Sequence, residues 1–446
     1  MRRSTGSHRS RAVVLAAVAA LGAGVLSGCA DDGDDGSAGS SGSSGGDSKG
    51  KTVVTVGTYG VMGFKQAGLY DEYTKLHPDI KIVENVIEPA SNYYPQLLTH
   101  LGSGSGLADI QAVEVGNINE VTTTQADKFV DLSKADGVKK ENFLGWKWSQ
   151  ATAKDGKMIG LGTDVGPMAI CYRKDLFQQA GLPADRDAVS ELWAGDWQKY
   201  LDAGRDYAKK APGGAAFLDS AGGLFNAAVS GSSEVYYDKS GKPIYKDSPA
   251  VKKAWKLATD ASAAKLSAGL QEFTKPWQQA LANGKFATAS CPAWMLGQIK
   301  EYAGDKYKGK WDVAAAPKPA NWGGSFLSVP QAAKNKDEAV KLATWLTAPE
   351  QQAKLFEKQA SFPSAQAAYD LPQVADAKLP YFNDAPIGKI FSQAAKDSPT
   401  QVLGPKDAVI KQNFTDVGLL QVEQQGKSAD EGWKAAIKTN DNALDQ

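Results

Sequence analysis

Residues equipped for catalysis are few in this chain and badly spaced for it. Beyond the N-terminal stretch the histidines are His77 and His100, with no His-Glu-x-x-His and no Cys-x-x-Cys motif beside them, so no metal centre is expected. The run Gly102-Ser103-Gly104-Ser105-Gly106 carries Gly where a nucleophile elbow needs Ser, and no Lys-Ser/Thr follows it as in a phosphate-binding loop. It reads instead as a turn that ends a helix. No cofactor is expected. Carboxylates are abundant, 50 Asp and Glu against 50 Lys and Arg, and two of them about 5–10 Å apart would serve glycoside hydrolysis. A secreted glycosidase therefore stays open as an alternative. The balanced charge offers no basic surface, so nucleic acid is not an expected partner. Aromatic area is plentiful, with 11 Trp, 15 Tyr and 14 Phe.

The elements that must position these side chains alternate in type. Residues 52–57 (TVVTVG) read as a strand, 63–76 as a helix with Phe64, Leu69, Tyr70, Tyr73 and Leu76 on one face, 80–87 as an alternating strand, 93–101 as a helix and 108–115 as a third strand. That order implies a mainly parallel sheet with helices on its faces. Further on, strands are expected over 168–172 and 286–291, and helices from Lys174, through 197–210, 248–264, 276–283 and 335–346. Ser428-Ala429-Asp430-Glu431 starts a terminal helix with a capping box. Trp193, Trp255, Trp345 and Trp433 fall in helical patterns and are assigned to packing.

The N-terminus reads as a targeting segment. Arg2, Arg3, Arg9 and Arg11 precede an apolar run at 12–26 that is shorter than the roughly 20 residues a membrane span needs. Leu26-Ser27-Gly28-Cys29 closes it, so residues 1–28 are expected to be removed and Cys29 to carry lipid. Residues 31–51 (DDGDDGSAGSSGSSGGDSKGK) hold nothing that could join a core, and residues 29–51 are expected to act as a flexible tether with a reach of about 25 Å. The protein is thus expected on the outer face of the cell membrane. Two cysteines remain, Cys171 and Cys291, each in a strand-like run. In an oxidising exterior they are free to pair, pinning two strands of one sheet or neighbouring segments; two separately buried thiols are the alternative.

Taken together these segments resemble a family. Ala169-Ile170-Cys171-Tyr172-Arg173-Lys174-Asp175-Leu176-Phe177 followed by Ala180-Gly181-Leu182-Pro183 resembles the YYRKDLFEKAGLP signature of extracellular sugar-binding proteins of ABC importers, the family 1 solute-binding proteins. Residues 277–287 are similar to its W..AF..GKAAM stretch, and residues 290–294 stand at its NGPW or DGPW turn. Residues 335–352 match its late helix and residues 361–364 its G.LPTR turn. The matches keep family order across nearly the whole chain beyond the tether. Two positions depart: Cys291 replaces the usual Asn or Asp, and Ala108 replaces a Pro. The members it most resembles are actinobacterial binding proteins for cellobiose and related β-glucosides.

The resemblance implies an α/β, two-lobed periplasmic-binding-protein-like fold with hinge strands and an interlobe cleft. Lobe one would comprise 52–163 plus about 323–370, and lobe two 164–322 plus about 371–446. It implies a monomer that binds an oligosaccharide, docks on ABC permease transmembrane subunits, attaches to the membrane through its lipid and catalyses nothing. A pyranose offers a flat C–H face to an aromatic ring and a rim of hydroxyls to polar groups. Trp294, on the family's GPW tryptophan, is expected as the first platform, with Trp277 and Trp322 as others and Gly323 and Gly324 letting backbone approach the ligand. The polar contacts are expected at strand ends facing the crevice: Tyr59 and Gly60, Glu114 with Asn117, Asp164, and Asp219 with Asn226 flanking Gly222-Gly223.

Overall fold

The computed structural model describes residues 50–87 and 90–445. The expected signal segment, Cys29 and nearly all of the expected tether lie outside the described residues. Within them the strands are β1 (Thr52–Tyr59), β2 (Ile80–Ile87), β3 (Ile110–Glu114), β4 (Leu161–Gly162), β5 (Asp164–Val165), β6 (Met168–Arg173), β7 (Ala216–Leu218), β8 (Phe286–Pro292), β9 (Trp311–Ala315), β10 (Ser325–Ser328) and β11 (Phe362–Pro363). They order as β2-β1-β3-β10-β4, β11-β5 and β7-β8-β6-β9. Helices cover the two larger sheets, giving an α/β architecture of two sheet-centred lobes.

The first sheet starts as the alternation requires. β1 pairs in parallel with β2 and with β3, because a helix carries the chain back across one face between them. The first helix is shorter than expected, Leu69–Leu76, since Gly68 sits in the left-handed region at φ 76° and starts it late. Phe64 is buried all the same, through a turn. The expectation of a mainly parallel sheet holds for these three strands but not for the strands that β10 and β6 join. β10 runs antiparallel to both β3 and β4, and β6 runs antiparallel to β8 and β9, with β7–β8 parallel. Strands that enter directly from the other sheet need no helical crossover, so nothing holds them parallel.

The chain passes between the large sheets from β4 to β6 and again from β9 to β10, and the two-stranded β5–β11 sheet lies in sequence beside these crossings. Every residue of β6 and β8 is buried, as strands covered on both faces should be. Cys171 and Cys291 are bonded to each other, with Cα atoms 5.4 Å apart. In the register Ala169 faces Cys291 and Cys171 faces Ala289, so the bond runs diagonally between adjacent antiparallel strands. The terminal helix Ala429–Leu444 starts on the expected reciprocal Ser428–Glu431 cap. Trp193, Trp255, Trp345 and Trp433 pack against other aromatics or core side chains.

Candidate ligand-binding site

Parallel β1 and β3 end at one edge of the first sheet, and antiparallel β10 begins there, Ser325 facing Glu114. Tyr59, Glu114 and the segment Trp322–Ser325 are thereby gathered along the crevice side, where open α/β sheets present ligand contacts. The hydroxyls of Tyr59 and Ser325 are 2.6 Å apart. Opposite stand the N-terminus of the helix Ala221–Val229, the loop 270–273 and a continuous helix over 407–425. That helix contains a π-helical stretch, Asn413–Leu419, a widening of the turn that is often found at functional sites.

These elements enclose a cavity of about 370 Å³ whose wall includes Tyr59, Glu114, Asn117, Asn226 and Trp322. A second cavity, of about 350 Å³, shares Tyr59, Glu114 and Trp322 with it and adds Gly60, Asp164, Trp294, Gly323 and Gly324. Both volumes lie in the range of small-molecule sites. Trp294 and Trp322 meet edge to face, centroids 5.7 Å apart, and the Trp294 indole N–H donates to the Trp322 carbonyl at 3.0 Å. Trp294 therefore offers a ring without a free donor. Glu114 uses one carboxylate oxygen to accept from the Gly116 amide at 2.6 Å, capping the helix Val115–Thr124. Asp164 Oδ1 accepts from the Ser325 amide and the Thr163 hydroxyl, tying β10 to β5 at the crossing.

The far wall is acidic. Glu272 Oε1 and Asn226 Oδ1 are buried and have no hydrogen-bond partner among the described residues. Burial, then the nearby Asp219 and Glu423 charges, hold the Glu272 carboxyl well above its usual range. Burial pushes the Glu423 carboxyl up to about 7 although it accepts from the Ala221 amide. Gly223 lets Glu272 come this close, since a Cβ there would stand 2.7 Å from Oε1. An aromatic-lined cavity with acceptors left open suits a neutral, donor-rich ligand that brings its own hydroxyls.

Two expected contacts lie elsewhere. Trp277 is fully buried and lines neither cavity; its indole N–H donates to Asp219 Oδ2 at 2.8 Å. Asp219, also buried, is absent from both walls, and burial pushes its carboxyl up to about 7. The pair is a polar contact behind the cavity: the helix Lys275–Ala282, with Pro in its first turn, turns Trp277 inward, and an indole N–H taken out of water needs an acceptor. The roles of Gly323 and Gly324 also change. A Cβ on Gly324, at φ 110°, would stand 2.6 Å from the Asp164 carbonyl and one on Gly323 3.0 Å from the Trp294 ring nitrogen, so they admit one chain segment past another.

Sequence reading missed the loop carrying Glu272 and Phe273, the helix residues Lys411, Thr415 and Asp416, and Tyr93 and Tyr94. Phe273 is half-exposed at φ 66°, its ring 5.8 Å from that of Trp294. Its sequence signal was an aromatic in a polar run just before a helix with Pro in its first turn. The contribution of the 407–425 helix had no local signal, because its polar face looks like any solvated face until the fold brings it over the crevice.

The sequence matches the family described as bacterial extracellular solute-binding protein over residues 68–381. It is 26% identical over 281 residues to the arabinooligosaccharide-binding protein of Bacillus subtilis (strain 168), covering 60% of this chain and 62% of that one. It is 26% identical over 288 residues to the lactose-binding protein of Rhizobium radiobacter, covering 60% and 64%. The chain thus spans less than two thirds of these relatives. A crystal structure of an extracellular solute-binding protein family 1 member superposes with a TM-score of 0.78 at 42% identity, covering 88% of this chain and 99% of that one. None of the three is named as a hydrolase.

Proposed function

The chain belongs to the bacterial extracellular solute-binding protein family, and we propose that it captures an oligosaccharide in the crevice and hands it to the membrane subunits of an ABC importer. The observation that carries this reading is the first cavity, where Tyr59 and Trp322 meet the unpartnered acceptors Asn226 Oδ1 and Glu272 Oε1. Sugar rings stack on the aromatic faces while their hydroxyls donate to the open acceptors. The ligand touches elements of both sheets, so it favours the closed arrangement by its differential contacts with the closed state. The protein performs no chemistry. Cellobiose or a related β-glucoside is the preferred ligand, and the lobes divide at about residues 163, 322 and 370. A micromolar affinity corresponds to about −8 kcal/mol, within reach of a few stacks and carboxylate hydrogen bonds.

The protein works as a monomer tethered to the outer face of the membrane by lipid on Cys29. Cys29→Ala should release it into the medium; retention on washed membranes would remove the anchor from this reading. The ligand test is calorimetric titration with cellobiose, lactose, arabinobiose and galactobiose, followed by analysis of the sugar afterwards. Stoichiometric, saturable binding with the disaccharide recovered intact is expected. Release of monosaccharide would overturn the receptor in favour of a glycosidase.

A further inference from the structure

A third cavity, of about 590 Å³, adjoins the second and is bordered by the helices Met295–Ala303, Pro349–Gln359 and Pro372–Ala375. The two cavities share Gly297, Glu301 and Gln359. Gly297 has no side chain, Glu301 is exposed and Gln359 is half-buried, and neither side chain makes a hydrogen bond or ion pair among the described residues. The common wall thus consists of a bare helix position and two side chains whose polar ends no hydrogen bond or ion pair holds in place; the exposed Glu301 exchanges rotamers in nanoseconds or less. The three cavities form a row in which each shares wall residues with the next.

The chemistry changes along that row. The first two cavities have aromatic walls, Tyr59 and Trp322 in both and Trp294 in the second. In the third the one aromatic, Phe356, is 1% exposed and gives no platform. The third wall instead carries Lys300, Gln373, Asp376 and Lys378, which donate to or accept from hydroxyls but cannot test the stereochemistry of a ring by stacking. An inner end that reads ring identity and an outer end that reads only hydroxyls describe a site for a chain.

We propose that the ligand site continues past Glu301 and Gln359 into the third cavity, so that this protein selects glycan chains longer than a disaccharide: the terminal rings sit in the two inner chambers and the following rings lie in the outer one. The proposal rests on the oligosaccharide reading above and adds to it a length preference and an outer subsite. Gly297 marks the passage. A Cβ there would meet only the Gln359 carbonyl, at 3.6 Å, so a larger side chain can be placed without a backbone clash.

The test is calorimetric titration of the purified full-length chain with the cello-oligosaccharide and 1,5-arabino-oligosaccharide series, disaccharide to hexasaccharide. In the series that binds, the tetrasaccharide should bind about tenfold tighter than the disaccharide, with little gain beyond the length that fills the outer chamber. In Gly297→Phe the hexasaccharide-to-disaccharide affinity ratio should collapse toward one. The double variant Gln373→Ala/Asp376→Ala, confined to the outer cavity, should lose the length gain and keep disaccharide affinity, with thermal unfolding reporting that both variants are folded. Equal affinity for disaccharide and hexasaccharide in the wild type, or an unchanged ratio in folded Gly297→Phe, would overturn the outer subsite while leaving the receptor reading standing. No binding by any member of either series, by lactose or by galactobiose would overturn the receptor reading and the outer subsite with it.

Discussion

Trp322 and Trp277 are both almost wholly buried, yet their surroundings assign them opposite duties. Trp322 borders both inner chambers, so Trp322→Ala should weaken sugar binding by about 2 kcal/mol, the cost of truncating an aromatic anchor. Trp277 lies behind the wall as the donor to Asp219. Trp277→Ala should lower unfolding stability by about 3–5 kcal/mol, through the cavity it leaves and the acceptor it orphans, and cost less affinity than Trp322→Ala. Denaturant unfolding and calorimetry on the same two variants check the contrast; equal affinity losses would refute it. Asp407 makes a separate statement. Burial pushes its carboxyl from 3.8 up to about 8, so across that window the folded chain holds a proton that the unfolded chain has released. Stability contributed by this group is therefore complete below pH 4 and lost as pH rises toward 8. Asp407→Asn should flatten this decline, by about 4 kcal/mol between pH 5 and pH 8. Parallel slopes for variant and wild type in denaturant midpoints at several pH values would exclude it.

At the level of elements, the antiparallel pair β6 and β8 is both buried and covalently crosslinked. All its residues are buried and Cys171–Cys291 spans 120 positions of sequence. Closing a loop of that length removes unfolded-state freedom worth about 4–5 kcal/mol in the chain-entropy model. The double substitution Cys171→Ala/Cys291→Ala should lower unfolding stability by a value of this order while leaving sugar affinity nearly unchanged, because neither sulfur lines the inner cavities. A stability change under about 1 kcal/mol would show that the strands pair as firmly without the bond. The strand pattern of this pair, its helix starts and its cysteines were all legible beforehand, since each is a local property. Its direction relative to β9 and β7 was not, because the sheet is assembled from segments far apart in sequence.

Across the whole of the described chain, two large sheets are joined by short crossings at β4–β6 and β9–β10, and the inner cavities take their walls from residues on both sides of these joints. Closure about the crossings should make the protein more compact when a binding oligosaccharide is added at saturation. Small-angle X-ray scattering with and without sugar measures this, and an unchanged radius of gyration under saturation would remove lobe closure from the mechanism. By itself the sequence determined the alternation of strands and helices, the caps, the absence of catalytic motifs and the gathering of Tyr59, Glu114 and Asp164 at strand ends, because periodicity, capping and turn chemistry act over a few residues. Only the tertiary structure decided that Trp277 and Asp219 turn to each other behind the cavity, that Glu272, Phe273 and the 407–425 helix complete its far wall, and that Gly324 serves a chain crossing. Those outcomes depend on which distant segments meet across the crevice, and local pattern carries no record of that meeting.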